Sequence, residues 1–79
     1  MKSYIFRVGL EVDEDGWRAF YLPWESIGAS TWGKTQENAL DNIREVLSMI
    51  IEEFAEDGET LPAMDDVSVS NDAQVAVNL

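Results

Sequence analysis

The chain has no cysteine, no histidine and two prolines, and it sets five basic residues against sixteen acidic ones in 79 residues. Without cysteine there is no disulfide framework and no thiolate nucleophile; without histidine as well, there is no structural zinc site and no imidazole base. Carboxylates, hydroxyls and five cations remain as possible catalytic groups, so most enzyme chemistries fall away, and no cofactor or metal is expected. A net charge of −11 repels phosphate backbones and anionic lipid, which argues against direct nucleic-acid binding. No uninterrupted apolar run approaches the length of a membrane span, and the first residues lack a signal-peptide apolar segment. No membrane association and a cytoplasmic location are therefore expected.

What is present is enough to fold. Hydrophobic residues make up 46% of the chain, with three Trp, two Tyr and three Phe, too many for a disordered acidic tail. The length allows one domain, residues 1–79. So short a chain buries only roughly 60% of its unfolded surface, and its stability must come from a small, well-filled core or from self-association.

Hydrophobic alternation over Tyr4, Phe6, Val8, Leu10 and Val12 predicts a strand with those residues on its buried face and Arg7, Gly9 and Glu11 opposite. Asp15-Gly16 predicts a tight hairpin, with a return strand over Trp17 to Leu22 that ends at Pro23. A short connection from Trp24 to Gly28 leads to a third strand, Ala29 to Trp32, closed by Gly33. Gly9, in mid-strand, implies a bulge or a close backbone approach, strand-edge pairing between subunits being one form of the latter. Thr35 is placed as an N-cap; Leu40, Ile43, Leu47, Ile50 and Phe54 then recur at helical spacing, Gly58 is the C′ residue, and Pro62 blocks continuation. Val67 and Val69, then Val75, Val77 and Leu79, alternate as one or two closing strands. The order β-β-β-α-β, with one long helix, predicts an α+β two-layer sandwich, the helix on one face of an antiparallel-rich sheet. Strand two has bulk on both sides, so some apolar surface is left for a partner chain.

The strongest polar pattern is on the helix. Glu37, Asp41, Glu45, Ser48, Glu52 and Glu56 repeat at three and four, which puts five carboxylates on one ridge with only Arg44 nearby. Like charges at i,i+4 are unfavourable, and the last acids sit where the helix dipole disfavours them. Such a ridge is a docking face for a basic protein or a solvated surface. Asp13-Glu14-Asp15-Gly16 lacks calcium-loop spacing and is explained by turn chemistry. Glu11 and Glu25 are the carboxylates around which a metal-dependent hydrolase would have to be built. Trp17 and Trp32 are expected in the core, and Trp24, beside Pro23, is expected partly exposed as a contact anchor.

The runs Tyr21-Leu22-Pro23 through Gly28, Thr31 to Glu45 (T-x-G-x-T-x-E-x-A-L-x-N-I-x-E) and Glu56-Asp57-Gly58-Glu59-Thr60-Leu61-Pro62 resemble the HicB-like antitoxin family, over nearly residues 4 to 62. Glu25 and Gly28 stand where the family's P-D-L-P-G loop has its aspartate and glycine; Trp24, Ser26 and Ile27 replace its other residues. The resemblance implies a reduced ribonuclease-H-like fold without catalytic acids, and an antitoxin that binds and occludes a small basic HicA-type toxin that cleaves mRNA. Family members often carry a C-terminal DNA-binding domain; here residues 65 to 79 read as strand instead. On this reading the partner-binding residues are Trp24, Glu25, Ser26, Ile27 and Gly28 in the loop, and Glu37, Asp41, Glu45, Glu52 and Glu56 on the helix. A homodimer or higher oligomer is expected. The alternatives are an oligomeric regulator of the same fold without a toxin partner, and the Glu11/Glu25 hydrolase.

Overall fold

The computed structural model describes residues 3–62 and 72–78. Four strands form one antiparallel sheet in the order β3-β2-β1-β4: β1 (Ser3–Asp13), β2 (Gly16–Phe20), β3 (Ser30–Gly33) and β4 (Asp72–Asn78). Among the described residues a single α-helix, α1 (Gln36–Glu56), lies on one face, giving the expected α+β sheet-and-helix layout. No helix among the described residues is long and apolar enough to cross a membrane.

The core follows the strand alternation. Phe6, Val8 and Leu10 of β1, Ala19 of β2, and Val75 and Val77 of β4 are buried against Ala39, Ile43, Leu47, Ile50 and Ile51 of α1. Val12 departs from the pattern at 67% exposed. It sits one residue from the hairpin turn, beyond the reach of the helix. The turn itself falls one residue earlier than the sequence suggests: Asp13 pairs with Gly16, and the positive φ is carried by Glu14, at 54°. Gly16 is instead a strand residue over which the Trp32 side chain packs.

Gly9 holds no bulge, because its ladder runs unbroken to β2 on one side and β4 on the other. The Phe20 ring, directly opposite, lies where a Cβ on Gly9 would be. Aromatic cover of this kind returns to the strand the packing that glycine lacks. The return strand ends at Phe20, two residues short of expectation, and residues Leu22–Ile27 form a 3-10 helix. β3 is displaced by one residue, to Ser30–Gly33.

The helix matches its sequence signals closely. Thr35 Oγ1 accepts a hydrogen bond from the Asn38 backbone N–H at 3.0 Å, and Asn38 Oδ1 accepts one from the Lys34 N–H at 3.2 Å. Two donors at the helix start are thus satisfied reciprocally. Gly58 takes a left-handed φ of 69° just past the end. At 21 residues, α1 spans nearly six turns, about 31 Å. Asn42 Nδ2 donates to the Trp32 carbonyl at 2.8 Å, tying the helix to β3. Val75 and Val77 lie in β4 as expected; Val67, Val69 and Leu79 fall outside the described residues.

Candidate functional site

The loop after β2 is built around a tryptophan that turns inward. Pro23 lies in the first turn of the 3-10 helix, where a missing N–H is tolerated. The Tyr21 N–H donates to Ala29 O at 3.0 Å, and the Ala29 N–H returns to Trp24 O at 3.1 Å, closing the loop base. Gly28 ends the 3-10 helix at φ 101°, a left-handed conformation that disfavours any side chain. Trp24 is 0% exposed; its ring meets Phe6 at 5.2 Å and Tyr21 at 5.4 Å, both edge-on. It is a core residue and not the surface anchor expected of it. Residues 3–8 of β1 have no β2 partner, and Trp24 fills the inner face beside them. Fixing Trp24 inward leaves Ser26, Ile27 and Gly28 in solvent and Glu25 half-buried.

Glu25 is held by Arg18. The guanidinium ion-pairs with Glu25 and, at 2.7 Å, with Glu11, and it lies 4.4 Å over the Phe20 ring. The two carboxylates that a hydrolase would require are bridged by a cation of the protein itself. Among the described residues no group of three or more acidic side chains is arranged to hold a metal ion.

The helix ridge is intact. Glu37, Asp41, Glu45, Glu52 and Glu56 are all exposed, on the side of α1 away from the sheet, with Ser48 half-buried between them. Arg44 pairs with Asp41 at 3.1 Å and is the only cation ion-paired to the ridge among the described residues. Met49 is exposed on the same helix, and Glu53 and Asp57 add further charge near the C-terminus.

The expected partner-binding residues therefore divide. The ridge faces outward from the helix layer, whereas Glu25 turns toward Arg18, whose alternation in β2 puts it on the uncovered side of the sheet. Trp24 belongs to neither surface. Trp32, expected inside, is 44% exposed on that uncovered side, opposite Arg18 in the β2–β3 register; Trp17, facing the other way, is half-buried against the core. Trp32 also borders a shallow depression with Asp13, Glu14, Asp15 and Lys34. The exposure of Trp32 was detectable from period two, since Trp32 shares a side with Ser30 and not with Thr31. Comparison of the chain with protein families, with curated proteins and with solved structures returns no match.

Proposed function

We propose that this domain is an antitoxin of the HicB-like kind, on a reduced ribonuclease-H-like scaffold, that binds and occludes a small basic HicA-type mRNA-cleaving toxin in the cytoplasm. The observation that carries this reading is the ridge of Glu37, Asp41, Glu45, Glu52 and Glu56, exposed along α1 and, among the described residues, ion-paired only to Arg44. From Glu37 to Glu56 it extends about 29 Å along the axis, with neighbouring carboxylates about 6 Å apart except across Ser48, where Glu45 and Glu52 are about 10 Å apart. A groove of lysines and arginines built to grip a polyanion would accept such a row. The opposite side of the helix is packed into the core, so the charges are held in place before contact. A net charge of −11 would speed encounter with a cationic protein and compete with RNA for its surface. Occlusion needs complementarity and no reactive group, in keeping with the residues available. The Arg18 bridge between Glu11 and Glu25 favours this reading over a carboxylate-dependent hydrolase.

The test is calorimetric titration with a purified HicA-type toxin at low ionic strength. The wild-type chain binds and suppresses RNA cleavage, and Glu45→Lys combined with Glu52→Lys weakens binding at least tenfold. No binding, or equal binding by the reversed variant, refutes the proposal.

A further inference from the structure

One aromatic ring on the sheet already holds a guanidinium, and its surroundings show what such a group needs. The Phe20 ring packs over Gly9, where a Cβ would be; the Arg18 guanidinium lies 4.4 Å above that ring and pairs with two carboxylates, Glu11 and Glu25. The same parts recur at the hairpin end of the sheet. Trp32 packs over Gly16 in the same way and is 44% exposed, so the indole is seated on the strand and remains open to solvent. Asp13, paired with Gly16 in the β1–β2 register, stands on that side of the sheet, and Glu14 and Asp15 of the turn complete the rim of a depression of about 660 Å³. What differs is the charge. Among the described residues no cation lies over the Trp32 ring, and the Asp13, Glu14 and Asp15 carboxylates form no ion pair. Lys34 is the one cation lining the depression, against three acids.

We infer that this depression binds the side chain of an arginine in a peptide segment of another protein, with the guanidinium stacked on Trp32 and forked to the carboxylates of Asp13, Glu14 and Asp15. The choice among cations follows from the parts. A planar guanidinium stacks on an aromatic ring and donates in pairs to carboxylates, which is the arrangement Arg18 makes on Phe20. A lysine ammonium is a compact, strongly hydrated charge that gains less from a flat ring. A quaternary ammonium is held best by a cage of several rings, whereas Trp32 is the only aromatic residue lining this depression. Free arginine brings its own carboxylate toward three others, so an arginine within a peptide, where that charge is gone, fits better. The ring is in place before contact: Trp32 is opposite Arg18 in the β2–β3 register, and its carbonyl accepts a hydrogen bond from Asn42 Nδ2 at 2.8 Å. The helix ridge attracts cations of any kind through summed potential. The Trp32 depression discriminates between them, and it is independent of the toxin reading.

NMR titration of the isotope-labelled full chain with acetyl-Gly-Arg-Gly-amide, acetyl-Gly-Lys-Gly-amide and free L-arginine, in about 20 mM NaCl, tests it. The arginine peptide should shift the Trp32 indole N–H and the amides from Asp13 to Gly16 along a saturating curve, with a dissociation constant about fivefold below that of the lysine peptide or of free arginine. Trp32→Ala should abolish the saturation. Should that variant fail to fold by circular dichroism, Asp13→Asn with Glu14→Gln probes the same site and should weaken binding about threefold. Lys34→Gln removes the competing cation, keeps the backbone N–H that donates to Asn38, and should tighten binding. Glu45→Lys, on the ridge, should change the dissociation constant by less than about twofold, since the guanidinium is held by local contacts. Equal response to the arginine and lysine peptides, shifts confined to α1, or saturation that survives the Trp32 and carboxylate changes overturns the inference. Free arginine binding as tightly as the peptide would overturn the assignment of a peptide ligand.

Discussion

The outward side of α1 and the open side of the sheet are separated by one thin core, and they are chemically opposite. On the helix, charge is concentrated: five ridge carboxylates stand against Arg44. On the sheet, charge is locally paired, with Arg18 between Glu11 and Glu25, and aromatic rings lie over Gly9 and Gly16. Among the described residues one helix covers one side of the sheet, which leaves the outer side of α1 and the far side of the sheet uncovered. The helix face concentrates negative potential, whereas the sheet face holds Arg18 and its carboxylates in local ion pairs.

The two faces can be broken together or separately. Trp24→Ala has the largest expected effect, about 3–5 kcal/mol for emptying so large a buried site. Against the total of about 5–15 kcal/mol usual for a domain, this collapses both faces at once, seen as a large fall in melting temperature. Gly33→Ala comes next. Its Cβ would stand 2.7 Å from Ala39 Cα and 2.8 Å from the Asn38 carbonyl carbon, both backbone atoms of the helix start. Moving α1 away from β3 should cost about 1–3 kcal/mol, measurable as a lower denaturant midpoint and faster amide exchange in the first helical turn. Thr35→Ala removes the cap on Asn38 N and should lower stability by about 1 kcal/mol, with loss of helix in that turn by circular dichroism.

The smallest change in stability sharpens the contrast most. Glu52→Lys with Glu56→Lys relieves repulsion along the ridge and places cations at the helix C-terminus, where the dipole favours them. The denaturant midpoint should rise slightly while affinity for a basic partner falls. Opposite signs in the two measurements would mark the ridge as kept for binding and not for stability.

Local signals carried most of the fold. Thr35, Gly58 and the apolar repeat between them place α1 to within a residue, because capping and periodicity act within one or two turns. β1 was legible from period two, except at Val12, where the sheet outruns the helix that covers it. What the sequence did not disclose depends on long-range packing. Trp24 is buried because β1 extends beyond β2 and leaves the inner face beside Phe6 to be filled, a vacancy that exists only once the strands are paired. Gly9 and Gly16 read as bulge and turn residues, yet both are explained by rings from neighbouring strands. The ridge was visible as a pattern, but its separation from Glu25 was not, since alternation and spacing do not show that Arg18 draws the loop to the other side of the sheet.

Amide mapping by NMR is the most direct trial of this division of labour. On titrating the labelled chain with a purified HicA-type toxin in dilute buffer, perturbations should concentrate on Glu37, Asp41, Glu45, Glu52 and Glu56 and vanish at about 0.5 M salt, where the screening length falls to a few ångströms. Perturbations centred on Ile5, Trp32 and Ala76, or none at all, would contradict it.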